Sequence, residues 1–283
     1  MAKKLKRRGR VSLPTYILVL LVGIIMLMPI VWMFFASFKT NDEIFAGVKL
    51  LPNSWSLDAY IEGWRSNGRI TYTTFFINSF VLTFVTTIIT VLIALIVAYG
   101  FARFTFPLKK PLFTIMLSTL MLPNAVLMIP RYSIFNKLNM LDSYMPFYMQ
   151  ALLGCYPFFI FMLVQFLRGV PRELDESASI DGCSEIGVLA RILMPIMKTS
   201  LFSAALFQFM WTYNDYTNVL IYVNSVKKYT LSLALRMSLD SESIVRWDKV
   251  MAMSFLSMVP LGILFFAAQK YFVEGMMSGA IKG

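Results

Sequence analysis

No histidine occurs anywhere in the 283 residues. That removes the side chain most often used as a general base near neutral pH and as a neutral metal ligand. Cysteine is nearly absent as well. Cys155 falls in an apolar run and Cys183 among charged residues, so neither a structural disulfide nor a zinc site is expected. Charge is scarce, at 14% of residues, where soluble domains carry about a quarter. A phosphate-binding loop is missing too: Gly63 to Gly68 is followed by Arg69, without the lysine and hydroxyl that hold phosphates and magnesium. With no convergent set of acids, bases or metal ligands, covalent catalysis is not expected of this chain.

What the sequence has in abundance is apolar surface, 58% of residues, and such a surface needs lipid as its solvent. A helix crossing the hydrocarbon core takes about 20 apolar residues. Six runs qualify: residues 15–38, 73–101, 111–130, 143–167, 199–222 and 250–269. The fold expected is therefore all-α and polytopic, with six transmembrane helices. The first run is too long for the apolar core of a signal peptide and lacks a small-residue cleavage site. Pro123, Gly154, Pro157 and Pro260 are expected to break or bend their spans. Such bends serve packing or shape a cavity.

The net charge of +11 is concentrated at the start, where Lys3, Lys4, Lys6, Arg7, Arg8 and Arg10 precede the first span. A basic cluster in that place holds a terminus on the cytoplasmic side by attraction to anionic headgroups, and no nucleic-acid partner is expected. With residues 1–14 as a cytoplasmic tail, the turn at Arg103, Lys109 and Lys110 and the loop 168–198 are also cytoplasmic. Segments 39–72, 131–142 and 223–249 face outward, and the tail 270–283 returns inside. Trp55 and Trp64 suit an outer interface.

The most informative stretch is the loop 168–198. Pro171 suits a first helical position, Glu173, Asp175 and Glu176 complement the positive helix start, and Gly182 offers a left-handed stop. Ser184 suits the cap of a second helix with Ile186, Leu189, Ala190 and Leu193 at helical spacing, closed by Pro195. The outcome is a helical hairpin with an apolar stripe and no core of its own. It either lies on lipid or fits a groove in another protein.

The pattern Glu176-Ser177-Ala178, then Gly182, then Ile192-Leu193-Met194-Pro195 resembles the EAA loop of ABC importer permeases, with Ser177 and Met194 as mild departures. Further matches run through the chain: Asn78-Ser79, Ala98-Tyr99-Gly100-Phe101-Ala102-Arg103, Leu141-Asp142-Ser143-Tyr144, and Trp211-Thr212-Tyr213-Asn214-Asp215-Tyr216. The end, Gln269-Lys270-Tyr271-Phe272-Val273-Glu274-Gly275 and Gly279-Ala280-Ile281-Lys282-Gly283, is similar to that of MalG-like permease subunits of maltose-type sugar importers.

The resemblance implies a type I ABC importer permease fold in an inner membrane. It also implies a MalF-like second permease, two ATPase subunits that bind the ATP and magnesium, an extracytoplasmic solute-binding protein, and a sugar as cargo. This chain itself would bind no cofactor or metal. Glu176, Ala178, Gly182, Ile192 and Pro195 would couple to the ATPase, and Gly275, Gly279, Lys282 and Gly283 would make a second contact with it. In the fifth span, Trp211, Tyr213, Asn214, Asp215 and Asn218 offer hydrogen-bonding groups and an aromatic face to a translocation pathway. Asp215 and Asn214 would otherwise bond to the partner permease, since in the maltose system the sugar-binding residues lie there. A polyol or sugar acid is the alternative cargo.

Overall fold

The structure is a computed structural model that describes residues 12–47, 49–66, 70–240 and 245–280. All regular structure among these residues is helical, as a lipid solvent that offers the backbone no partners requires. In chain order the helices are α1 (Leu13–Ala36), α2 (Asn41–Phe45), α3 (Asp58–Arg65) and α4 (Tyr72–Arg103). Next come α5 (Lys109–Met121), α6 (Asn124–Lys137), α7 (Met145–Leu152), α8 (Pro157–Arg168) and α9 (Glu173–Ile180). The last are α10 (Glu185–Ile196), α11 (Lys198–Tyr213), α12 (Thr217–Tyr222), α13 (Leu231–Asp240) and α14 (Trp247–Ala280). Four helical stretches are long and apolar enough to cross a membrane, and six when each of two bent pairs is taken as one span. The chain is thus a multi-pass membrane protein.

Two compact units make up the chain, residues 1–66 with 238–258, and residues 67–237 with 259–283. In the first, α1 is apolar on every side and exposed along most of its length, the pattern of a helix that meets lipid or protein all round. Its end packs through Phe34 on Phe255, with ring centroids 5.0 Å apart. A polar cluster holds α2 and α3 near the start of α14. Asn41 Oδ1 accepts from the Trp247 amide at 2.9 Å, and Arg246 pairs with Asp248 at 2.7 Å and Glu62 at 3.5 Å.

In the second unit α4 is the central element, packed along α11, α8 and α7. Ala94, Leu95, Ala98 and Ala102 give it a small-residue face into which Phe159, Leu163 and Leu167 of α8 fit, all buried. A second core gathers Leu82, Phe135, Phe147, Val219 and Tyr222.

The helix breaks follow local chemistry. Pro123 lacks an amide hydrogen and pushes Leu122 to an extended ψ of 123°, so α5 and α6 meet at 105°. Gly154, at φ +69°, lets the chain turn between α7 and α8, and Pro157 opens α8 where its missing donor costs nothing. A further break separates α11 from α12 at Asn214 to Tyr216. Pro260, by contrast, breaks nothing: α14 runs through it and on to Ala280, well past residue 269. Proline inside a membrane helix is tolerated where neighbours satisfy the freed carbonyl.

Asp142 clasps two connections together. Held at φ +51°, it accepts from the Asn224 amide at 3.0 Å, from the Ser225 amide at 2.7 Å and hydroxyl at 2.6 Å, and from Lys228 Nζ at 3.0 Å. The Ser225 hydroxyl and amide and the Lys228 ammonium hold its carboxyl well below the usual carboxylate range. A depressed folded value means that the clasp is at full strength above the ordinary carboxylate range and is lost only as pH falls through the folded value. Asp142→Ala, which strands these donors, is expected to destabilise the fold by about 2 kcal/mol. The check is thermal unfolding of the purified protein at pH 7, and wild-type stability should vary little from this group between about pH 5 and 8.

Candidate functional site

The loop 168–198 folds as a helical hairpin against the end of α4. Pro171 precedes the first helix; α9 begins at Glu173, with Glu173, Asp175 and Glu176 in its first turn. Gly182, at φ +79°, turns the chain, and the Cys183 amide reaches back to the Ala178 carbonyl at 2.9 Å. Ser184 caps α10, its hydroxyl accepting from the Gly187 amide at 3.2 Å.

Two expectations are corrected here. Residues 188–193 are π-helical, and the helix continues through Pro195 to Ile196. A π-turn already displaces the ordinary i to i−4 bonding, so a proline just after it interrupts little. The same turn moves the buried stripe. Val188, Leu193 and Met197 are buried, whereas Ile186 is 78% exposed and Ala190 is exposed as well.

The coupling residues divide accordingly. Glu176 is exposed and makes no hydrogen bond or ion pair among the described residues. Ala178 is buried in the chain's own core beside α4 and α8, so its small size serves internal packing. Ile192 packs partly on that core, and Gly182 and Pro195 are exposed. Ile180, 87% exposed, stands at the tip with Ile186. Of the second group, Gly275 and Gly279 lie on the helical backbone of α14, and Lys282 and Gly283 lie outside the described residues.

Polar contacts tie the hairpin to α4. Tyr99 donates to Glu185 Oε2 at 2.8 Å, and Arg103 Nε lies 2.6 Å from Asp175 Oδ2. Arg103 Nη2 donates to the Val170 carbonyl at 3.1 Å, and Arg172 Nη2 to the Ala102 carbonyl at 3.3 Å. Burial pushes the Asp175 carboxyl up, with Arg103 and Arg172 opposing. An open cleft of about 390 Å³ lies between these partners, lined by Tyr99, Arg103, Arg172, Asp175, Glu176 and Glu185 among others. Sequence reading assigned Asp175 only to the helix start and left Glu185 aside, because nothing local shows which distant helix each carboxylate meets.

A second cleft, of about 420 Å³, opens where the helices break. Trp211, Asp215 and Asn218 line it, while two other residues of that group do not. Tyr213 is buried, stacked on Phe209, and Asn214 turns back to the Met210 carbonyl at 2.9 Å. Asp215 caps α12, accepting from the Asn218 amide at 3.0 Å and side chain at 2.8 Å. Trp211 rests on Phe158 and Phe159, at 5.3 and 5.2 Å between centroids. The lining also holds Asn124, Arg131, Gln150, Tyr156 and Gln208. Gln208 is 1% exposed; its Nε2 donates to Thr212 and its Oε1 has no partner among the described residues. The signal that would have found Gln150 and Gln208 is their position as amides inside otherwise apolar spans. Among the described residues no cluster of three metal-ligating side chains occurs.

Comparison with known proteins gives this geometry a family. The profile described as "Binding-protein-dependent transport system inner membrane component" matches residues 90–278. The arabinooligosaccharides transport system permease protein AraQ of Halalkalibacterium halodurans is 30% identical over 93% of each chain. The trehalose/maltose transport system permease protein MalG of Thermococcus litoralis is 30% identical, covering 93% of this chain and 94% of its own. The diacetylchitobiose uptake system permease protein DasC of Streptomyces coelicolor is 31% identical over 97% of this chain and 98% of its own. The fold matches a chain in the crystal structure of a bacterial ABC transporter involved in the import of the acidic polysaccharide alginate. The TM-score is 0.79 at 20% identity, over 93% of this chain and 99% of that one. Apolar spans, hairpin and matched profile together make the chain a member of the binding-protein-dependent transport system inner membrane component family.

Proposed function

We propose that this chain is one of two permease subunits in an ATP-driven importer for a carbohydrate, and that the hairpin 168–198 couples it to a separate ATPase. The observation that carries the reading is the hairpin's division of faces. Its inner side is bonded to α4, while Glu176, Ile180 and Ile186 stand exposed, a surface suited to a groove in another protein. Relatives named for arabinooligosaccharides, trehalose or maltose, and diacetylchitobiose support a sugar as cargo.

The basic residues before α1 and around the hairpin support an arrangement with both termini and the hairpin on the cytoplasmic side. Two ATPase subunits there bind ATP and magnesium, and a solute-binding protein delivers sugar from outside. Residues Gly275 to Gly283 provide a second ATPase contact. Trp211, Asp215 and Asn218 line the half of the pathway that this subunit contributes, where an aromatic face and hydrogen-bonding groups suit a sugar ring. Arg131 in the same cleft supports a sugar acid as the alternative cargo.

Purification of the tagged chain in mild detergent tests the assembly. A second permease and an ATPase should accompany it, with ATP hydrolysis rising when loaded binding protein is added. A chain that purifies without an ATPase, or that drives uptake in vesicles depleted of ATP, would overturn the proposal.

A further inference from the structure

We infer that Tyr99 and Arg103 are positioning residues that fasten the coupling hairpin to the inner end of α4, so that hairpin and helix move as one body. This rests on the coupling role proposed above and adds the part that carries its motion onward.

Covalently, the hairpin is held only through the short links 169–172 and Met197, and α10 meets α11 at 81°. Both links would allow it to pivot. The contacts from α4 remove that freedom. One side chain reaches each helix of the hairpin, Arg103 to Asp175 on α9 and Tyr99 to Glu185 on α10. Arg103 also bonds the Val170 carbonyl and Arg172 the Ala102 carbonyl, which pins the near link. Three attachment points that are not collinear fix a rigid body.

The ion pair is nearly dry, with the Arg103 side chain only 7% exposed. Burial of two charges offsets much of their attraction, so such a pair adds little stability and its geometry is the better reason for its presence. The body it joins is long. At about 1.5 Å per residue, the 32 residues of α4 run from the hairpin past α8 and α7 to the level of the breaks. Through α11 and α7, packed on it, α4 touches the elements that line the central cleft. The exposed tip residues take no part in the attachment, which leaves them for the ATPase.

The test reads motion at the cleft instead of uptake, so the cargo need not be known. In the assembled complex, in a Cys183→Ser background, Cys155, which is exposed and lines the cleft, carries an environment-sensitive maleimide. Emission is compared before and after trapping with ATP and vanadate. Wild type should show a change. Arg103→Gln and Asp175→Asn should each reduce it about fivefold, and the double variant should do no worse than the weaker single, because both remove one bond. Tyr99→Phe, which keeps the ring and loses only the hydroxyl, should give a smaller reduction in the same direction.

Single variants that keep more than half of the change would overturn the inference, and so would losses that multiply in the double. Loss of the co-purifying ATPase from the variants would move these residues to docking and overturn it equally. A wild-type complex with its ATPase but a silent Cys155 would show that nothing is transmitted. Absence of any ATPase from the wild type would instead sink the coupling reading beneath it.

Discussion

Glu176→Lys is expected to cut uptake about a hundredfold while leaving the chain in the membrane at normal abundance. The residue is exposed and bonded to nothing among the described residues, so its replacement removes no internal contact. Surface substitutions of that kind change folding stability by about 0.5 kcal/mol or less. At an interface the arithmetic differs, because a like charge placed against a groove built for a carboxylate costs several kcal/mol. Each 1.4 kcal/mol is about tenfold in affinity. The check is paired: quantitative immunoblot of membranes for abundance, and co-purified ATPase together with transport for function. A lysine variant that transports normally would remove Glu176 from the coupling surface.

Gly182→Val is the second large effect, and its origin is conformational. A Cβ at this position would meet nothing within 4 Å, so crowding is not the cost. The backbone sits at φ +79°, where a β-branched side chain is a true outlier and the left-handed conformation costs about 1–2 kcal/mol. The turn would relax, carrying α9 and α10 out of their mutual setting. A loss of that size lowers the competent population, and with it transport, about tenfold. Gly182→Asn is the control, since asparagine tolerates the left-handed region, and it should retain most activity. Equal loss in both variants would mean that the side chain, and not φ, is what matters.

Much of this was legible before any coordinates. Apolar runs outline the helices because the bilayer imposes a length and a composition that few other settings do. Gly182 and Ser184 announce a stop and a cap because those roles depend on a residue's own conformational range and reach. Pro123, Gly154 and Pro157 mark breaks for the same reason.

What was not legible depends on partners distant in sequence. Ala178 reads as a surface residue and proves buried, because its neighbours come from α4 and α8. Pro260 reads as a kink and leaves α14 continuous. The cleft needed five further polar residues that no local pattern gathers, and Tyr213 left the group because Phe209 stacks over it. The clasp at Asp142 joins positions 82 to 86 residues apart; its motif was visible while its partners were not.

The π-helical turn at 188–193 has a genetic consequence. A π-turn is an α-helix that has taken in one residue, so a single deletion there would restore ordinary winding. Everything beyond would then rotate by about 100°, the angle per residue of an α-helix. Leu193 and Met197, now buried, would swing away from the core. The length of this segment is therefore under as tight a constraint as its chemistry, and a reading frame that loses one codon here would keep every motif residue and still misplace the hairpin.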